Sequence, residues 1–441
     1  MNILRARIKQ GKGIATGVVS TILALAIVAS ACAPVTASPA EKERVVKMGV
    51  QAVLTGPVAG PHLFLNYGAF DFCRYINDKG GLDGIPVKCL WYDTRAEATR
   101  AISAHRRLVD EGEVVELSFI DSTIDPIVPS LPRERIPVIM TGGSSELMVT
   151  KPAQWVFSGS WSWAIYISYL LNYLKEIWTE ERPLRVGLMS IDYSPVLDVI
   201  KIAPKYAAEL GLEWIGHETP SMFGTLDTTT EWLRLAGKNP DWVILGSFGQ
   251  TQTVQVKDSA RLEIMKKGIK IIVLYTFDEQ AMSVTGKRDC EGFFRISHIP
   301  SMLETELPGV QVVAESAKKY RGLEATGIYL LGWLGAQVAL EGVRLAIEQV
   351  GIEKLTGAAV RDALASLKDF DTGLIPPISM TNEWPVFAPV CKIYRIHDGK
   401  IVPYSRDYIK FPFYLLHSEH LEKFGIGTPP SGVAISQYIL Q

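Results

Sequence analysis

Cysteine is scarce in this chain, five among 441 residues, and no two of the five form a CxxC pair. That leaves no thiolate-rich zinc module and no disulfide-dense scaffold. Histidine is sparse as well: the seven, at positions 62, 105, 217, 298, 397, 417 and 420, show no metal-ligand spacing. No metal or other cofactor is expected. GxGxxG, GxxxxGK followed by Ser or Thr, GxSxG and HExxH are all missing, so no dinucleotide fold, phosphate loop, nucleophile elbow or zinc protease helix announces an enzyme. Charge of one sign is lacking too. With 45 Lys and Arg against 47 Asp and Glu, the net charge of −2 leaves no basic excess to neutralise a phosphate backbone, which excludes nucleic acid as the expected partner.

What is present is an ordinary globular composition, 47% hydrophobic and 21% charged, in a chain too long for one core. Two lobes are expected. The N-terminus is organised for export: Arg5, Arg7, Lys9 and Lys12 precede an almost unbroken apolar run from Ile14 to Val28. Ala29-Ser30-Ala31-Cys32 then resembles a bacterial lipobox, which makes residues 1–31 a signal peptide and Cys32 the lipidated N-terminus of the mature chain. Residues 32–45, rich in Pro, Ala, Ser, Thr and charge, read as a flexible tether. The alternative is an uncleaved anchor, since roughly 20 apolar residues span a bilayer. Either way the remainder lies outside the cytoplasm. Cys73, Cys89, Cys290 and Cys391 are then buried thiols or form one or two disulfides after export.

Strands and helices alternate along the rest of the chain. Val45–Leu54 is a strand broken by Thr55-Gly56-Pro57, Phe64–Asn77 has helical periodicity ending at Gly80-Gly81, and Pro86–Tyr92 is a second strand ending at Asp93. Short apolar strands at Val114–Ile120 and Val138–Met140 follow the Ala96–Asp110 helix. The pattern restarts at Leu184–Ser190, a helix near Val196–Leu210, and strands at Trp242–Leu245 and Ile269–Leu274. Helices at about Thr326–Val350 and Leu355–Leu367 come next, then a hairpin turning at Asp398-Gly399. Such alternation demands parallel pairing with crossover helices, an α/β chain of two Rossmann-like units.

VLTGPVAG (Val53–Gly60), INDKGGLDGIPVKCLWYD (Ile76–Asp93) and the Ala98–Val109 helix resemble, in order and spacing, the opening of type I periplasmic binding proteins of the Leu/Ile/Val-binding family. The likeness continues more loosely to about residue 405 through IPVIMTGGSSE, LRVGLMSIDYS and PDWVILGSFGQT. It implies two lobes, 46–162 with 295–390 and 163–294 with 391–441, joined by three hinge crossings near 160–165, 290–296 and 385–395 around a ligand cleft. It also implies the work of an ABC importer's substrate-binding subunit: to bind a small solute, such as an amino acid or related carboxylate or amide, and deliver it to a permease and its ATPase. A ligand-sensing receptor without transport is the alternative.

The same resemblance places the ligand contacts. Gly143, Ser144 and Ser145, in the loop Thr141-Gly142-Gly143-Ser144-Ser145, sit where the family cradles a carboxylate, although Ser144 or Ser145 also suits a helix cap. Asp121 stands where the family usually has a serine. A carboxylate there repels a ligand carboxylate unless Asp121 points away and Ser122 binds, or Asp121 caps the helix that follows. Tyr193 and Phe248 occupy positions of second-lobe aromatics, and Asp278 is the expected partner of a ligand ammonium. Trp161 and Trp163, on one face of an extended crossing, form an apolar wall or fill the hinge. His62 stands near Pro61, where the family usually offers an aromatic.

Overall fold

The structure, a computed structural model, describes residues 44–141, 155–159, 162–382, 386–388 and 390–409. The expected signal peptide, the tether up to residue 43, Cys32, Gly143, Ser144, Ser145, Trp161 and the tail beyond residue 409 lie outside the described residues.

Strand β1, Val46–Ala52, is buried at every position but Lys47. A near-continuous apolar run of this kind marks a central parallel strand covered on both faces. It is flanked by β2 (Val87–Asp93) and β3 (Val115–Ser118), and β4 (Val138–Met140) and β5 (Val156–Ser158) complete a five-stranded sheet, all parallel, in the order β2-β1-β3-β4-β5. Helix α1 (Ala59–Asp78) starts earlier than the apolar periodicity suggested, because Pro61 falls in the first turn, where a missing N–H costs nothing. Helix α2 (Ala98–Asp110) and the single turns α3 (Asp121–Ile124) and α4 (Leu131–Glu134) fill the other connections.

The second lobe begins with α5 (Trp163–Glu176) and continues through β6 (Arg185–Met189), α6 (Ser194–Glu209), β7 (Glu213–Glu218) and α7 (Thr229–Ala236). Strand β8 (Trp242–Leu245), α8 (Gly249–Arg261), β9 (Lys270–Val273), α9 (Glu279–Thr285) and β10 (Phe294–Ser297) follow. The chain then returns to the first lobe as α10 (Pro308–Arg321), α11 (Gly327–Val350) and α12 (Gly357–Leu364), and comes back as β11 (Lys392–His397) and β12 (Lys400–Pro403). The second sheet has the order β12-β11-β10-β9-β8-β6-β7, parallel except where β11 pairs with its two neighbours. The described residues from Val45 to Ile409 make one compact unit.

The lobes are joined at three places: between Ser158 and Trp163, after Ser297, and between Phe387, whose N–H bonds Ser158 O at 2.9 Å, and Lys392. The expected boundary at 294–295 needs correction. It cuts into β10, which hydrogen-bonds both β9 and β11 and so belongs wholly to the second lobe.

Helix α11 is long and apolar enough to cross a membrane, yet most of it is enclosed, packed along α1. Two glycines set that approach. A Cβ on Gly68 would overlap the carbonyl oxygen of Tyr329, and one on Gly332 would overlap that of Leu65, so only hydrogen fits at either crossing point. At the expected hairpin, Asp398 (φ 49°) and Gly399 (φ 64°) both adopt the left-handed conformation that a two-residue type I′ turn needs. Cys73, Cys89, Cys290 and Cys391 are all free thiols. The contact between Cys89 and Cys73, and then burial, raises the Cys89 pKa well above the ordinary range.

Candidate functional site

In each sheet the strand order reverses once, between β1 and β3 in the first and between β6 and β8 in the second. Parallel strands leave a crevice beyond their C-terminal ends at such a reversal, because the connections on either side run to opposite faces. The loops leaving these four strands converge on one cleft. The first lobe contributes Pro61, His62 and Leu65 after β1, and Phe119, Ile120 and Asp121 after β3. From the second lobe come Trp163, Tyr193 and Phe248, with Tyr275 and Thr276 from the end of β9. Met140 and Thr141 of the first lobe, with Ile328 and Leu331 of α11, close the base. The space between these residues, counted together with the open solvent at its mouth, is about 540 Å³.

The walls are mostly aromatic. Phe248 meets Tyr193 edge to face at 5.4 Å between ring centres, Trp163 at 6.4 Å and His62 at 6.2 Å, and Trp163 meets Tyr193 at 5.9 Å. Edge-to-face rings fix one another's orientation, so the apolar wall is shaped before a ligand arrives. His62 belongs to this wall as a neutral ring: burial lowers its pKa to about 4, and its Nδ1 is 2.7 Å from the Val58 carbonyl oxygen.

Polar groups are few. The Asp121 carboxylate, 2% exposed, accepts a hydrogen bond from the Tyr193 hydroxyl, which joins the two lobes across the cleft. Burial, and then the adjacent Asp121 charge, hold the Tyr193 phenol well above its ordinary pKa, so it remains a donor. Asp125, one turn on, is pushed up to about 7 by burial and then by Asp121. The Thr141 hydroxyl is buried without a hydrogen-bond partner among the described residues, whereas Thr276 donates to Ser247 O at 2.6 Å.

Three expectations change. Asp121 does not point away in favour of Ser122: it faces the cleft, and the Ser122 hydroxyl instead donates to Ala96 O at 2.9 Å, tying down the neighbouring loop. Asp278 does not reach the cleft. Its Oδ1 accepts from the N–H groups of Gln280 and Ala281 at 3.1 and 3.0 Å, and its Oδ2 from that of Ile328 at 3.0 Å, so one carboxylate caps both α9 and α11. Trp163 opens helix α5 rather than lying in an extended crossing, so its place in the wall comes from the first turn of a helix. Trp163, Tyr193, Phe248 and Asp121 are brought together; Ser122 and Asp278 are not among them.

Sequence reasoning missed Phe119, Tyr275, Thr276, Ile328 and Leu331, and also Leu65 and Met140. The rule that ligands sit beyond strand C-termini points to the first three, but nothing local marks the two residues of α11. Among the described lining residues there is no cysteine, serine or lysine, and the single histidine is neutral and bonded to a carbonyl. Such a set can hold a small molecule.

Residues 45–400 match the family model described as periplasmic binding protein. Comparison with curated protein sequences gives no significant match. Among solved structures, the fold is similar to a branched-chain amino acid ABC transporter protein from Thermus thermophilus with bound valine (TM-score 0.75, 22% identity, covering 84% of this chain and 98% of that one). It is also similar to a branched-chain amino acid substrate-binding protein from Streptococcus pneumoniae in complex with isoleucine (TM-score 0.69, 16% identity, 83% and 99%). A solute-binding protein from Rhodopseudomonas palustris with 3,4-dihydroxybenzoic acid has a TM-score of 0.69 at 16% identity, covering 84% and 100%.

Proposed function

This chain belongs to the periplasmic binding protein family, and from that premise we propose that it is the substrate-binding lipoprotein of an ABC importer, held outside the cytoplasm by a lipid on Cys32. It captures a small solute in the interlobe cleft and hands it to the permease and its ATPase. Its role is binding without bond chemistry.

The observation that carries this reading is the cleft itself, in which residues of both lobes surround one aromatic space and Tyr193 and Asp121 touch across it. A ligand that contacts both lobes at once favours the closed form by its differential affinity, and closure is the signal a permease can read. The lining also narrows the chemistry. Aromatic rings and the side chains of Leu65, Ile328 and Leu331 suit an apolar or aromatic body, and Asp121 suits a donor such as an ammonium or amide N–H. A ligand carboxylate, repelled by Asp121, belongs at the Thr141 end, with Gly143, Ser144 and Ser145, which follow Thr141 in the sequence, as its proposed partners. We therefore favour a neutral amino acid with a branched or aromatic side chain, or a related small amide. Trp161 completes the wall in this reading.

The test is mass spectrometry of whatever co-purifies with the chain, followed by a thermal-shift panel pairing such amino acids with their deaminated carboxylic acids. Amino acids are expected to raise the melting temperature by mass action, with the deaminated partners weaker. Shifts from the deaminated acids alone would overturn the assignment of Asp121, and no binding of any small solute would overturn the function.

A further inference from the structure

Helix α1 lies along the edge strand β2 in a fixed register. Asn77 makes the first rung: its side-chain amide donates to Val87 O and accepts from the Val87 N–H, both at 2.8 Å. Farther back along the helix and farther on along the strand, the rings of Phe70 and Trp91 meet with their centres 6.0 Å apart. Residues three or four apart share a helix face and residues two apart share a strand face, so these outer rungs bring Cys73 opposite Cys89 between them. The two cysteine side chains are in contact.

The pair is placed for chemistry as well as for packing. Cys73 is buried and Cys89 half-buried, and both line an open groove with Phe70, Asn77, Val87 and Trp91. The other two described cysteines have different neighbours. Cys290 approaches the carbonyl oxygens of Gly286 and Lys287, and Cys391 meets the hydroxyl of Tyr166. Outside the cytoplasm, where the family places this chain, touching thiols are exposed to oxidation rather than held reduced.

We propose that Cys73 and Cys89 are a redox pair that closes to a disulfide outside the cytoplasm and staples α1 to the edge strand β2. Two S–H bonds break and one S–S bond forms. The two protons and two electrons pass to the disulfide of a thiol–disulfide exchange partner, which leaves as two thiols. The bond closes the loop from Arg74 to Lys88 and so restricts the unfolded chain. It also anchors the helix whose His62 and Leu65 line the cleft. The inference rests on the extracytoplasmic location in the functional reading above, but not on the identity of the solute.

The experiment refolds the reduced full-length chain in a buffer of glutathione and glutathione disulfide, and alkylates it in denaturant before and after reduction. A peptide map is expected to show Cys73 linked to Cys89, with Cys290 and Cys391 alkylated without reduction. The chain exported by a bacterial host should carry the same link. Reduction should lower the melting temperature by at least about 2 °C, and the Cys73→Ala, Cys89→Ala double variant should not respond to reductant. If that variant does not fold, the peptide map of the unmutated chain decides. Cys73 and Cys89 both alkylated without reduction, or either of them linked to Cys290 or Cys391, overturns the proposal. A solute that still raises the melting temperature of that reduced chain would leave the binding function standing while the redox pair falls.

Discussion

The hydroxyl of Tyr193, in the loop after β6, donates to the carboxylate of Asp121 at the start of α3, so a hydrogen bond connects the two lobes inside the cleft. Both groups are largely withdrawn from water, where such a bond is worth about 1.5–3 kcal/mol.

Removing only the donor should therefore loosen the closed form. Tyr193→Phe keeps the ring that packs on Phe248 and Trp163 but loses the bond, and is expected to raise the ligand Kd by about 10- to 100-fold. Isothermal titration with the co-purified solute measures this. An unchanged Kd would mean that the bond does not hold the lobes together around ligand.

Acid should destabilise the fold through two neutral histidines. Burial lowers His62 to about 4, and burial with the nearby Arg295 charge lowers His298 to about 3. The unfolded chain takes up these protons near pH 6.5 while the folded chain refuses them, so their contribution is full above pH 6.5 and falls as pH drops toward 4. Urea titrations across that window should show His62→Gln flattening the slope by up to about 1.4 kcal/mol per pH unit. Equal slopes in both proteins would place His62 in contact with water.

Asp125 should act with the opposite sign. Its pKa, raised from 3.8 to about 7, gives stability that is full below 3.8 and lost as pH rises through about 7. Asp125→Asn is expected to raise the melting temperature above neutrality and to leave it nearly unchanged in acid. A melting temperature that falls above neutrality counts against the burial of an ionised carboxylate there.

Asp278→Ala should separate stability from binding. Three backbone N–H groups at the starts of α9 and α11 lose their acceptor, a cost of about 2–3 kcal/mol in chemical unfolding. Ligand affinity should change far less than in Tyr193→Phe. The reverse order would return Asp278 to the binding site.

Gly332→Ala tests the crossing of α1 and α11. The added methyl meets the backbone carbonyl of Leu65, which no side-chain rotation can move, so a loss of about 3 kcal/mol is expected. Because Leu65 and Leu331 line the cleft, affinity should fall as well. A stable variant with full affinity would show that the helices can part without cost.

Much of this was readable along the chain because it depends on neighbours in sequence. The strand at Val46–Ala52 and the helix at Gly327–Val350 follow from apolar patterning, and the Asp398-Gly399 turn from two residues that tolerate positive φ. Tyr193 and Phe248 were placed by the family resemblance, and both lie in loops just beyond parallel strands, where side chains are delivered to the crevice. Asp278 misled for a physical reason. A carboxylate just beyond a strand is equally suited to a ligand ammonium and to a helix N-terminus, and only the arrival of α11 from fifty residues away decides between them.

The sequence by itself determined the alternation of strands and helices, the two-lobe division and the lack of catalytic motifs, since each rests on local periodicity or composition. Tertiary structure alone decided which side chains share the cleft, and that Asp121 rather than Ser122 turns into it. Those outcomes depend on strand order and on which face each loop presents, and both are fixed by long-range packing that leaves no local trace in the chain.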